Sequence, residues 1–346
     1  MYYNWKDTTN TEELKKVCNL IKNGEIIIFP TETVYGIGAN ALDEEAVGKI
    51  FIAKGRPQDN PLIVHVAEKK KIEEIAEITS KVEKKLINKF MPGPFTIILK
   101  KKEIIPNIVT AGLNTVAVRI PSSVVARGII SLSGVPIAAP SANISGRPSG
   151  TNIEDIRKEL EEKVSAIVDT GEVDGGLEST VVKVIDEVPV ILRPGLITPE
   201  DIEKVIGTVR VEEIVFEKIE DDRKIESPGI KYRHYSPETK CKVIYCEDKL
   251  DQIFYINREV RKYKGDVVIL GFREHKEKIV VSKGRYIDIG SQNDLREIAR
   301  NIYKSLRHAD EINAEIILIE GVKKDGIGIA IMNRLLKTCN YDYFEK

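Results

Sequence analysis

The sequence predicts an α/β protein of two domains: a larger N-terminal one with a mixed twisted sheet and flanking helices, a linker, and a smaller C-terminal α/β domain. Three observations predict it. Short apolar runs bounded by Gly and Pro alternate with stretches whose apolar residues recur at helical spacing, over almost the whole chain. Up to about residue 210 strand-like and helical runs come in a mixed rather than strictly alternating order; past residue 237 strands alternate with helical patterns. Between these regions the segment 211–236 is charge-dense and aperiodic, then rich in Pro and aromatic residues. The expected division is 1–210, a linker over 211–236, and 237–346.

The elements follow in order. EELKKVCNLIKNG places Leu14, Val17, Leu20 and Ile21 on one helical face and stops at Gly24, and the strand-like EIIIF comes next. PTETVYGIGAN leaves that strand and reads either as backbone packed close to a small polar ligand or as a tight strand-to-helix turn. Asp43 is a suitable N-cap for the helix DEEAVGKIFIAKG, which leads to the short strand LIVHV. Two charged helical stretches fill Glu68 to Phe90, MPGP breaks the chain, FTIILK and TVAVRIP are strands, and SSVVARGIISLSG is a helix before PIAAP. IEDIRKELEEK, AIVDTG, STVVKVI, VPVILRPG and TPEDIEKVIG continue the pattern to about residue 208. Beyond SPGIKYRHYSP, the runs CKVIYC, DVVILGF, RYIDIG and EIILIEG, separated by patterns such as NDLREIARNIYKSLRHADE, have the order of a small Rossmann-like α/β unit.

Composition narrows the function. A 346-residue chain with 42% hydrophobic and 31% charged residues has enough apolar content for two cores. Its formal net charge of -1 means that any polyanion must be met by a local basic surface. Cys18, Cys241, Cys246 and Cys339 form no CxxC pair and have no nearby His, which argues against a zinc site or a disulfide scaffold and for reduced thiols in the cytoplasm. No apolar run reaches membrane-span length, so no membrane association is expected. GIGAN is not a dinucleotide fingerprint, and the absence of GxxxxGK[ST] disfavours a P-loop NTPase.

Three stretches carry candidate chemistry. In KGRPQDNPLIVHV, Lys54 and Arg56 read either as cations capping a helix or as an anion grip, since Pro57 fixes the direction of a guanidinium able to take two phosphate oxygens. His65, alternating with apolar residues, is either a hydrogen-bonded core histidine or a site residue. PTETVYGIGAN offers two hydroxyls, a carboxylate and a phenol; APSANISGRPSGTN offers hydroxyls, amides and Arg147; Arg119, Ser179 and Arg193 stand beside predicted strands.

Taken in order, PTETVYGIG, KGRPQDNPLIVHV, MPGPFTIIL, TVAVRIP, APSANISGRPSG, LESTVV and LRPG closely resemble the YrdC-like threonylcarbamoyl-AMP synthase family. SPGIKYRHYSP resembles the linker of the family's longer members, and the last hundred or so residues resemble their C-terminal domain, so the resemblance spans essentially the whole chain. It implies a reaction of L-threonine, bicarbonate or CO2, and ATP with Mg2+ as cofactor. The products are threonylcarbamoyl-AMP and diphosphate. A separate transferase complex then modifies tRNA next to the anticodon, with weak or no direct tRNA binding by the synthase itself.

Carried over by position, the resemblance places Thr33, His65, Arg119, Ser141 and Ser179 around L-threonine. Arg56, Asn60, Thr115, Asn143, Thr151 and Arg193 are placed on ATP, with Tyr235, in preference to Tyr232, closing over the nucleotide. Lys54 and Arg56 are the expected catalytic pair, with Lys54 facing phosphate or carbamate, and no protein metal ligand is expected. An RNA-binding module of the same fold without synthase activity is the alternative, and a related carbamoyl-transfer enzyme is disfavoured because its acylphosphatase and zinc-finger regions are missing.

Overall fold

Helix ends fall where the sequence supplies caps. Asp43 Oδ1 accepts from the amide of Ala46 at 3.0 Å, and Gly55, at φ 59°, ends the same helix. The computed structural model describes residues 1–5, 11–212, 215–217, 227 and 235–346. Most of the expected linker, Tyr232 included, lies outside the described residues. Over the described residues the chain divides into two compact units, 1–145 with 149–212, and 146–148 with 235–346.

The first unit begins β1 (Tyr2–Asn4), α1 (Thr11–Lys22), β2 (Ile27–Phe29), β3 (Gly36–Asn40), α2 (Glu44–Lys54), β4 (Ile63–His65), α3 (Ile72–Ile75), β5 (Ala76–Glu77), α4 (Lys81–Phe90) and β6 (Phe95–Lys101). It continues α5 (Asn107–Thr110), β7 (Thr115–Arg119), α6 (Val124–Ser133), β8 (Ile137–Ala138), α7 (Ile153–Leu160), β9 (Ala166–Asp169), β10 (Thr180–Ile185), β11 (Val188–Arg193), α8 (Pro199–Ile206) and β12 (Arg210–Val211). The sheet runs β1-β9-β2-β3-β8-β4-β7-β6-β10-β11-β12, with β5 joining β6, and mixes parallel with antiparallel pairs as the sequence predicts.

Both faces of this sheet are covered. Alternation along β2 sends Ile28 to a core shared with Val47, Ile50, Leu86 and Ile156, and Ile27 and Phe29 to a core shared with Val17, Ile21, Ile129 and Ile130. Helices therefore sandwich the strands. GIGAN corrects the reading of PTETVYGIGAN as a turn throughout: it is β3, antiparallel to β2, and only the residues before it turn. A Cβ at Gly38 would stand 2.6 Å from the Phe29 ring and 2.8 Å from Ile137, so glycine is needed for the strands to pack. Gly38→Ala is expected to destabilise the protein by about 1–3 kcal/mol, read as a fall in Tm.

The second unit carries β13 (Cys241–Tyr245), α9 (Lys249–Val260), β14 (Val267–Gly271), β15 (Gly284–Asp288), α10 (Leu295–Asp310), β16 (Ile316–Glu320), α11 (Ile327–Thr338) and β17 (Tyr343–Glu345). Its five strands are all parallel, in the order β15-β14-β16-β13-β17, the expected Rossmann-like arrangement. No helix among the described residues is long and apolar enough to cross a membrane.

Candidate active site

The site is built from sheet register. Ile137 pairs with His65, His65 with Arg119, Arg119 with Thr96, Thr96 with Val181, and Val181 with Arg193. Residues paired in this way share a face, so His65, Arg119, Thr96 and Arg193 form one row across five neighbouring strands. His65 and Arg119 are about 5 Å apart at the backbone, and Arg119 and Arg193 roughly 15 Å, at one strand spacing per step. On the same face Val181, the row's member on β10, forms a small apolar cluster with Ile63, Ala117 and Ile98.

The turn after β2 folds onto this face. Arg119 donates from Nη1 to Thr33 Oγ1 at 3.0 Å and from Nη2 to Glu32 Oε1 at 2.7 Å, and Nε points at Gly93 O, 3.3 Å away. Thr33 in turn shares a hydrogen bond with Thr31 Oγ1 at 2.9 Å. Gly175 and Gly176 close the turn by donating to the carbonyls of Glu32 and Thr33, and a Cβ on Gly175 would stand 2.7 Å from Glu32 O. At the other end of the row Ser179 joins two members: its Oγ lies 2.7 Å from Thr96 Oγ1 and 3.1 Å from Arg193 Nη2, while its carbonyl accepts from Arg193 Nε and Nη2. Thr33, His65, Arg119, Ser179 and Arg193 are thus brought together, each 5% exposed or less.

His65 is the electrostatic exception in the row. Burial, and then the neighbouring Arg119 charge, hold its pKa down to about 3. Its Nδ1 is buried and has no hydrogen-bond partner among the described residues, an unmet polar atom of the kind a ligand satisfies. The imidazole is expected to stay neutral in the folded protein from pH 7 to pH 5, seen as ring 15N shifts that do not move. Because the unfolded chain protonates this group below its ordinary pKa of about 6.5, stability should fall as pH drops from there toward the folded value.

The KGRP loop settles the capping question. Gly55 and the Arg56 amide cap α2, whereas the two cationic side chains leave the helix. Lys54, 2% exposed, donates from Nζ to the carbonyls of Ser141 and Asn143, and its own carbonyl accepts from Ser145 N at 2.9 Å. It clasps the PSAN loop. Ser141 Oγ meets Asn143 Oδ1 at 2.5 Å, and the Asn143 amide donates to Ile144 O at 2.7 Å. Arg56, half-buried, bridges the carbonyls of Asn60 and Pro61 at 3.3 and 3.1 Å and closes the loop ahead of β4.

The remaining predicted residues divide. Alternation along β7 puts Thr115, Ala117 and Arg119 on one face, with Thr115 paired with Lys100 of β6 and roughly 13 Å of strand from Arg119. Ahead of β4 the chain leaves the β7 ladder, where Leu62 N donates to Val109 O at 2.8 Å. Thr151 is buried between Gly150, whose carbonyl accepts from Tyr35 N at 3.2 Å, and Asn152, the N-cap of α7. Tyr235 belongs to the second unit, stacked on Tyr303 at 5.2 Å with the Arg334 guanidinium 5.5 Å from its ring. Arg147 is in that unit too, paired with Glu238 at 2.6 Å.

Sequence reasoning missed Glu32 and Thr96. A lone hydroxyl in the apolar run FTIIL was the available signal for Thr96, and the PTET carboxylate for Glu32. It also offered the Tyr35 phenol to a ligand; the structure buries it, donating to Gly171 O at 2.6 Å. Among the described residues no group of three or more His, Cys, Asp or Glu could hold a metal ion.

Comparison with known proteins shows the family. Residues 19–195 match the Sua5, YciO and YrdC family model, described as telomere recombination, and residues 197–339 match the C-terminal domain of threonylcarbamoyl-AMP synthase. The threonylcarbamoyl-AMP synthase of Pyrococcus abyssi is 44% identical over 95% of this chain and 94% of its own, and that of Bacillus subtilis 41% identical over the same shares. The crystal structure of P. abyssi Sua5 complexed with L-threonine superposes with a TM-score of 0.93 at 40% identity, covering 100% of this chain and 99% of that one. These relatives show an enzyme of the nucleotidyltransferase-like kind. The chain belongs to the threonylcarbamoyl-AMP synthase family, in its long two-domain form.

Proposed function

We propose that this enzyme condenses L-threonine, CO2 or bicarbonate, and ATP into threonylcarbamoyl-AMP and diphosphate. Arg119 carries the reading. It is a buried guanidinium with hydroxyls on either side of it, on the same sheet face as Thr115 and level with His65. Such a fork suits the carboxylate of an amino acid. Arg56 and Asn60 of the KGRP loop, and Thr115 a strand length along β7 from Arg119, suit the nucleotide, with Arg193, Asn143 and Thr151 as further polar contacts.

The substrates bring their own nucleophiles. The threonine amine attacks the carbon of CO2 and loses a proton, giving a carbamate; a carbamate oxygen then attacks the α-phosphorus of ATP, and the bond to the β-phosphate oxygen breaks. Protein residues hold the two anions in contact and exclude water from a labile product. His65, kept neutral, can offer or accept a hydrogen bond without adding charge. Mg2+ bound with the nucleotide would supply charge neutralisation at the phosphates. The product passes to a separate transferase acting on tRNA, and the work is cytoplasmic.

Omitting substrates one at a time tests this. Diphosphate should appear only when ATP, threonine and bicarbonate are all present. Release that ignores threonine would remove the proposal, and RNA binding without release would favour the binding-module alternative. Arg56→Ala should lower kcat/KM by roughly 2–4 kcal/mol of transition-state stabilisation in a folded protein, and near-normal turnover would confine Arg56 to closing its loop.

A further inference from the structure

This inference deepens the synthase reading and rests on it. Arginine carries five N–H donors. Among the described residues Arg119 commits three, one each from Nε, Nη1 and Nη2, to Gly93 O, Thr33 Oγ1 and Glu32 Oε1. One N–H on each terminal nitrogen remains. Such a pair matches the two oxygens of a carboxylate.

Glu32 is the charged member of the three acceptors, and it is itself held firmly. Its Oε2 accepts from Ser123 N at 3.3 Å, and its carbonyl accepts from Gly175 N at 2.9 Å. The ion pair with Arg119 is 2.7 Å long, with side-chain exposures of 4% and 16%. Removing water from a guanidinium and a carboxylate is costly, so a desolvated pair is a weak device for stability alone. What it does supply is direction. A neutral acceptor in place of Glu32 would let the guanidinium turn about Nε, and the charge of Glu32 repels any second carboxylate placed on its own side of the fork.

We propose that Glu32 is a positioning residue for the amino-acid substrate: through Arg119 it fixes the guanidinium so that the two remaining N–H groups face the threonine carboxylate from one side. Glu32 does not touch the reacting atoms in this arrangement. Its effect is confined to one substrate.

A double-mutant cycle on the full chain tests it, with Glu32→Gln, Glu32→Asp, Arg119→Ala and the combined Glu32→Gln/Arg119→Ala. KM for threonine and for ATP is read by diphosphate release, and threonine binding by calorimetry. Glu32→Gln should raise KM for threonine about tenfold while KM for ATP stays within about twofold, Glu32→Asp should recover part of the loss, and Glu32→Gln should add nothing once Arg119 is gone. Equal shifts for both substrates, or a Glu32→Gln effect that persists undiminished without Arg119, would overturn the proposal. Should Glu32→Gln fail to fold, Glu32→Asp is held to the same split between substrates. Failure of the synthase reading would show separately, as wild-type protein that releases no diphosphate in response to threonine.

Discussion

Arg119→Ala is expected to lower kcat/KM for threonine by roughly 100- to 1000-fold, about 3–4 kcal/mol, with KM for ATP nearly unchanged. The size follows from burial. A charge-assisted contact to a carboxylate is worth most where water is excluded, and Arg119 is 4% exposed. The same change strands Glu32, so it should also cost stability, on the order of 3 kcal/mol. Burial by itself would push the Glu32 carboxyl up; the Arg119 charge and hydrogen bond outweigh it and hold the group below the usual carboxylate range. That contribution to stability is present above the unfolded carboxyl pKa and is lost as pH falls below it. The acid limb of the wild-type stability curve should therefore be steeper than that of Arg119→Ala, and curves that superpose would mean that the pair is not formed.

Lys54→Ala is expected to damage fold and activity together. Its ammonium satisfies the carbonyls of Ser141 and Asn143 in a position 2% exposed, and alanine would leave both acceptors buried. A loss of about 2–4 kcal/mol in unfolding free energy should accompany a fall in turnover with ATP, because the PSAN loop is no longer clasped. A variant of normal Tm and low turnover would instead return Lys54 to direct contact with phosphate or carbamate. Lys54→Arg does not rescue: a planar fork cannot replace a compact ammonium between two carbonyls.

Much of this was legible in the sequence because local rules and the tertiary fold agree. The Asp43 cap and the alternation around His65 are local properties, and the strands read for His65 and Arg119 are the paired strands β4 and β7. GIGAN was misjudged because two glycines signal a turn by composition, whereas here they make room for Phe29 across the strand pair. Lys54 and Arg56 could not be resolved for a different reason. Whether a cation at a helix end turns back to the helix or reaches a loop about ninety residues away is decided by tertiary packing. The same holds for Glu32 and Thr96, whose partners come from distant strands and turns.

The central claim is that threonine, carbon dioxide and AMP are joined on this protein. Purified enzyme supplied with [14C]bicarbonate, [3H]threonine and [α-32P]ATP should yield one product carrying all three labels in equal proportion, formed together with diphosphate. Labelled AMP released without bicarbonate label, or a threonine adenylate that lacks it, would contradict the account.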